Sequence, residues 1–174
     1  MYYVHGYLSS PDGSKAMILK DELDAIPLRY RDCEPEDLVI SSCLYEIKRS
    51  IEHDDQPVVI GSSLGGFLSA EIAYDVEVST LFLINPAVIP PDINLDSISD
   101  MPMRILKDMK DDRLFSEKID ARLIIFSATD DTVVPPEWVL RFARFQEATV
   151  LFLHDDHRLS KHLFQLSSLI RLFL

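Results

Sequence analysis

The run Val58-Val59-Ile60-Gly61-Ser62-Ser63-Leu64-Gly65-Gly66-Phe67 leaves its chain few ways to fold. Pro57 to Ile60 reads as a short buried strand, and an apolar helix follows at once over Gly65 to Tyr74. Between them Gly61, Ser63 and Gly65 form G-x-S-x-G. A serine on so sharp a strand-to-helix turn holds a strained backbone. Its neighbours two residues to either side must be small, or their Cβ atoms collide across the turn. The turn lifts the Ser63 hydroxyl above the sheet edge. It aims the Leu64 N–H and the positive helix end at any negative charge that develops there. A glycine-rich corner or a phosphate loop uses similar residues, and five-residue matches are common. The glycine distribution favours the nucleophile: the chain holds five glycines in 174 residues, and Gly61, Gly65 and Gly66 are all here.

Strand and helix patterns alternate along the rest of the chain. Tyr2 to His5 predicts a first strand, and Ser14 to Ile26 a helix with Ala16, Met17, Leu19, Leu23 and Ile26 on one stripe. Pro27 to Tyr30 reads as a weak second strand. Glu34-Pro35-Glu36-Asp37 resembles a helix start, carried on by Leu38, Ile40, Leu44, Ile47 and Ile51. Thr80 to Ile84, Arg122 to Phe126 and Thr149 to Leu153 are further strands. Pro136 to Phe145 and Ser160 to Leu172 are helices. Val88 to Lys118, with Pro90, Pro91 and Pro102, is the least regular stretch. It reads as a small lid or excursion over one sheet edge, with a helix over Met103 to Met109. Continuous apolar runs rather than period-two alternation indicate α/β architecture: six mostly parallel strands, helices on both faces, one domain over residues 1–174 and no large cap.

The net charge of −12 and a pI near 4.7 exclude a basic face, and with it nucleic acid or an anionic membrane as partner. No apolar run is long enough to span a bilayer, and the opening residues carry no secretory pattern, so a cytoplasmic location is expected. Cys33 and Cys43 have neither CxxC nor zinc spacing and read as free thiols. No metal or cofactor is expected.

Right-handed crossovers put every strand's C-terminal end on one edge. Ser63 follows the third strand, Asp130 and Asp131 the fifth, His154 and His157 the sixth. A serine hydroxyl needs a base, neutral imidazole serves near pH 7, and a carboxylate must hold the imidazole tautomer. The order serine, aspartate, histidine is that of α/β-hydrolases. His157 is the better base, because His154 abuts the strand and packs down; His162 sits inside the closing helix as a surface residue, and His53 lies at the opposite edge. His5-Gly6-Tyr7, after the first strand, is placed to supply the Tyr7 N–H as a second oxyanion donor beside Leu64. Gly6 lets the backbone approach the substrate oxygen. Asn85, ending the fourth strand, either shapes the substrate pocket or terminates the strand. His5 and Ser62 read as structural hydrogen-bonding or packing residues, and Trp138, Phe142 and Phe145 as core. The cluster His154-Asp155-Asp156-His157 lacks known metal-site spacing.

The chain resembles the YqiA-like small esterase family of the α/β-hydrolase superfamily. The matching pieces are His5-Gly6-Tyr7 with Ser9-Ser10-Pro11 and Ser14-Lys15-Ala16; Gly61 to Gly66; Asn85-Pro86-Ala87-Val88; and Asp156-His157. They run in order over most of the chain. The resemblance implies a compact core lacking the first strands of larger members, and esterase activity on short acyl esters or thioesters. It departs at the acid, where Ala128 stands in place of a glycine and two aspartates compete. Asp131-Thr132-Val133-Val134-Pro135 resembles the D-x-V-V-P run common after this strand, which favours Asp131, with Asp130 as second choice. The expected function is a serine esterase or thioesterase. The alternative is a ligand- or protein-binding module on a hydrolase scaffold without turnover, and Val88 to Lys118 could serve as a docking surface in either case.

Overall fold

The computed structural model describes residues 1–174. Six strands form one sheet: β1 (Tyr2–Val4), β2 (Ile26–Pro27), β3 (Val58–Ser62), β4 (Thr80–Ile84), β5 (Arg122–Ala128) and β6 (Thr149–Leu153). Every pairing is parallel and the order is β2-β1-β3-β4-β5-β6. The helices are α1 (Ser14–Leu23), α2 (Ile40–Ile51), α3 (Leu64–Ile72), α4 (Met103–Met109), α5 (Pro136–Gln146) and α6 (Leu166–Arg171).

The strand order dictates which face each helix covers. The chain steps one way from β1 to β2, then the other way from β2 through β3 to β6. A right-handed crossover therefore puts α1 on one face and α2 to α5 on the other. The cores follow this division. A cluster of 31 buried residues, including Ile47, Leu68, Ile105 and Phe142, fills one side, and 13 residues around Leu19, Phe126 and Ile170 fill the other. Successive strand residues alternate between the two: Leu81 and Leu83 face the large core, Phe82 and Ile84 the small one. Both faces of the central strands β3 to β5 are covered, so those strands are mainly apolar. The step reverses between β1 and β3, and sheets of this type bind ligands beside such a reversal, at the C-terminal ends of the strands.

Three helix expectations need correction. Helix α1 stops at Leu23, because Asp24 turns left-handed (φ 53°); its N–H donates to Lys20 O and that of Ala25 to Leu19 O, which caps the helix. That frees Ile26 for β2, whereas the sequence suggested a strand over Pro27 to Tyr30. Pro35–Asp37 forms only a short 3-10 turn, and Leu38 and Val39 are extended before α2 begins. The Arg104 side chain binds the carbonyls of Glu36 and Leu38, which a continuous helix would have used internally. The closing helix is broken into a turn, a 3-10 segment at Leu163–Gln165 and α6. Leu159 is left-handed (φ 56°), and Asp155 takes the N–H groups of Lys161 and His162.

Residues 88–118 bury Val88, Ile105, Leu106, Met109 and Leu114 in the large core. Polar links tie the segment to α3 through Arg113–Glu71 (2.7 Å) and to α5 through Asp92–Arg141 (2.6 Å). No helix is long and apolar enough to cross a membrane.

Candidate active site

Ser63 links the end of β3 to the start of α3 with φ 55° and ψ −120°, a conformation that L-residues rarely adopt. No glycine has a positive φ, so the strain sits on the serine and the glycines supply room. A Cβ on Gly65 would run into the Val4 carbonyl and lie 2.5 Å from that of His5. The turn is over-determined by β4 and the residues just after it. Ser63 N–H donates to Ile84 O (2.9 Å), and Ser63 O accepts from Gly66 (2.8 Å) and Ala87 (3.0 Å).

From that turn runs a hydrogen-bonded chain. Ser63 Oγ lies 3.0 Å from His157 Nε2, and His157 Nδ1 lies 2.7 Å from Asp131 Oδ2. The Asp131 side chain is 2% exposed, and its Oδ1 accepts from the N–H groups of Val133 (2.8 Å) and Val134 (2.9 Å). One carboxylate oxygen is thus held by backbone and the other is aimed at the imidazole. Asp130 goes elsewhere. It is half exposed and meets His154 at 3.2 Å, in a solvated pair away from Ser63.

The loop after β1 lies against Ser63: a Cβ on Gly6 would come 3.2 Å from Ser63 Cβ and 3.7 Å from its Oγ. The next residue, Tyr7, engages its N–H with no backbone carbonyl. Leu64, first in α3, has no carbonyl one turn earlier in the helix to take its own. The rear of the β1 loop is clamped by residues that no motif announces. Arg31 donates to the carbonyls of Tyr7 (2.5 Å) and Ser9 (3.1 Å), and Tyr30 Oη donates to His5 O (2.9 Å). His5 stacks on Tyr30 at 4.4 Å, and its Nδ1 meets Gly6 O at 2.9 Å. Burial holds the His5 imidazole down at about 4, so it stays neutral.

His154 does not pack down on the strand as expected; its side chain is 80% exposed beside Asp130. Asn85 and His162 also find partners that the sequence did not indicate. Asn85 is 1% exposed and does not face the solvent from which a substrate would arrive. Its Nδ2 donates to His157 O (2.9 Å), and its Oδ1 accepts from Ala128 N–H (2.7 Å). His162 is not a helix surface residue: its Nδ1 meets Asp155 Oδ2 at 2.8 Å. Asp155, fully buried, also accepts from the N–H groups of Asp156, Lys161 and His162 and so shapes the loop that carries His157. Burial alone would raise its carboxyl; the hydrogen bonds from the His162 ring and these N–H groups outweigh it and hold the carboxyl below its ordinary value. No local signal announces it: the 3-10 segment that follows starts only at Leu163, and its N-cap, His162, makes no side-chain capping bond. No group of three or more His, Cys, Asp or Glu is placed to hold a metal.

Residues 1–173 match the profile of the uncharacterised protein family UPF0227. The chain belongs to that family. It is the YqiA-like family that the sequence resembles. No curated protein matches the sequence significantly. Among solved structures, this UPF0227 chain is similar to Est1E from Butyrivibrio proteoclasticus bound to ferulic acid (TM-score 0.81, 15% identity, 99% of this chain and 86% of that one). It is also similar to mouse alpha/beta hydrolase domain-containing protein 10 (TM-score 0.76, 19% identity, 99% and 88%). A third is the esterase domain of a Rhodothermus marinus protein (TM-score 0.68, 14% identity, 99% and 84%). The UPF0227 chain therefore has the α/β-hydrolase fold.

Proposed function

We propose that this chain is a serine hydrolase that cleaves small carboxylic esters or thioesters, with residues 1–174 acting as one domain. The observation that carries the reading is the unbroken chain from Ser63 Oγ through His157 to Asp131 at 3.0 and 2.7 Å, on a strained turn. In this reading Ser63 Oγ attacks the acyl carbon while His157 Nε2 takes its proton. Asp131 keeps the proton on Nδ1 and stabilises the imidazolium. The N–H groups of Tyr7 and Leu64 receive the charge on the carbonyl oxygen. His157 then protonates the leaving oxygen or sulfur, and water attacks the acyl-enzyme with His157 again as base. Gly6 gives the substrate oxygen its close approach. The similarity to the Rhodothermus marinus esterase domain is consistent with this chemistry.

The test is labelling with a fluorophosphonate probe, followed by a p-nitrophenyl ester chain-length series. Wild type is expected to label, and Ser63→Ala and His157→Ala not to label. A folded wild type that stays unlabelled and turns over no ester would overturn the reading in favour of a binding module on this scaffold.

A further inference from the structure

Asn85 sits where the three chain segments of the site converge. It follows Ile84, the last residue of β4, whose carbonyl accepts the Ser63 N–H; two residues on, Ala87 N–H returns to Ser63 O. The backbone of Asn85 leaves the sheet with φ 44° after its own N–H has donated to Phe126 O (2.9 Å). The next rung of the β4–β5 ladder would fall to the N–H of Ala128, and no β4 carbonyl remains to meet it. The Asn85 side chain fills that place: Oδ1 accepts from Ala128 at 2.7 Å. The opposite end of the same carboxamide, Nδ2, donates to the carbonyl of His157 at 2.9 Å. Two more bonds continue the row. Thr129 N–H donates to Leu153 O (2.8 Å), and Asp130 N–H donates to Asp155 O (3.0 Å). Three consecutive N–H groups leading to Asp131 are thus tied to the chain that carries His157, the first through the Asn85 carboxamide and the other two directly.

We infer that Asn85 is a positioning residue: its carboxamide fixes the His157 loop against the Asp131 loop so that the imidazole meets both Asp131 and Ser63. The consequence for turnover rests on the serine-hydrolase reading, but the geometric claim does not. Only a short planar group with an acceptor at one end and a donor at the other bridges these two backbone groups. Asparagine also tolerates the positive φ. Serine or alanine reaches neither partner, and a carboxylate would turn an oxygen toward the His157 carbonyl.

The test compares wild type with Asn85→Gly, which keeps the backbone conformation and deletes both bonds, and Asn85→Asp, which keeps the acceptor. Three quantities are read: kcat and KM on p-nitrophenyl acetate, the fluorophosphonate labelling rate, and the downfield proton resonance of the His157–Asp131 hydrogen bond. That resonance is assigned by its loss in His157→Ala. A misplaced base lowers kcat and labelling by about tenfold or more with KM little changed. The resonance is expected to shift or broaden in both variants. In Asn85→Asp the protonated carboxyl can still donate, so the ratio of variant to wild-type kcat is expected to fall as pH rises. A purely structural role predicts lower melting temperatures with labelling rate, resonance and that pH ratio unchanged, and this result overturns the inference. If Asn85→Gly does not fold, Asn85→Asp decides by the same criteria. If folded wild type neither labels nor turns over ester, the hydrolase reading has failed, and the resonance in the variants decides the positioning role by itself.

Discussion

Glu71 gives a stability test that is independent of any substrate. It lies in the last turn of α3 with its side chain 4% exposed. Its Oε2 accepts from Arg113 at 2.7 Å, and its Oε1 is buried without a partner. Burial, and next the negative charge of Asp111 on the far side of the same guanidinium, push the Glu71 carboxyl up from 4.5 to about 7 against the pull of Arg113. The folded state therefore holds this proton more tightly than the unfolded state. Between pH 4.5 and about 7 the native form carries more protons, so stability falls as pH rises, and the full cost is present above that window. At about 1.4 kcal/mol per pH unit the loss is roughly 3 kcal/mol. Glu71→Gln keeps the shape and an acceptor for Arg113 but cannot titrate. His5 works the other way: held at about 4 by burial, it costs stability as pH falls from 6.5 toward 4. The wild-type curve alone mixes the two groups, and the difference between variant and wild type isolates Glu71. Urea unfolding of both proteins at pH 4.5, 6 and 8 is expected to show the Gln variant gaining about 3 kcal/mol on wild type between the first and last pH. A difference constant with pH, within an extrapolation error of about a tenth of the total, would refute the reasoning.

Further outcomes bear on the site. Asp131→Asn is expected to lower kcat by about 10⁴, because the amide would select the wrong imidazole tautomer. Asp130→Asn is expected to leave kcat within about twofold, since its partner is the exposed His154; ester kinetics on both variants check the pair. Gly65→Ala places a methyl against the carbonyls of Val4 and His5, which no rotamer change relieves. It is expected to cost about 2–3 kcal/mol in denaturant unfolding and to slow labelling of Ser63. Asp155→Ala orphans the N–H groups of Asp156, Lys161 and His162. Thermal melts are expected to show a loss of about 3 kcal/mol or more, and labelling is expected to fall because the His157 loop loses its anchor.

The strands were the most legible part of the chain. Apolar runs bounded by turn residues placed β4 and β6 to the residue, and α4 as well, because those elements are set by local propensity and by burial on both faces. Helix ends were read less well. Asp24 and Leu38 lie in sequence that would carry a helix further, and each helix is cut short by a left-handed cap or by a guanidinium arriving from 66 residues away. The roles of Asn85, left open between a pocket wall and a strand end, and of His162, read as a surface residue, were hidden for a related reason: Asn85 meets Ala128 and His157, which come 43 and 72 residues later, and His162 meets Asp155 across a turn.

By itself the sequence determined that a parallel, doubly covered sheet would carry Ser63, Asp131 and His157 to a common edge. Strand direction and handed crossovers leave no other place for residues that come after β3, β5 and β6. Its glycines also determined where backbone could approach backbone around Ser63. Only the tertiary structure decided which aspartate lies beside His157, that His5 is held neutral by burial against Tyr30, and that Asn85 bridges two loops from beneath. Those choices turn on which loops meet in space and on desolvation. Both arise from side chains tens of residues apart, and no local window of sequence contains them.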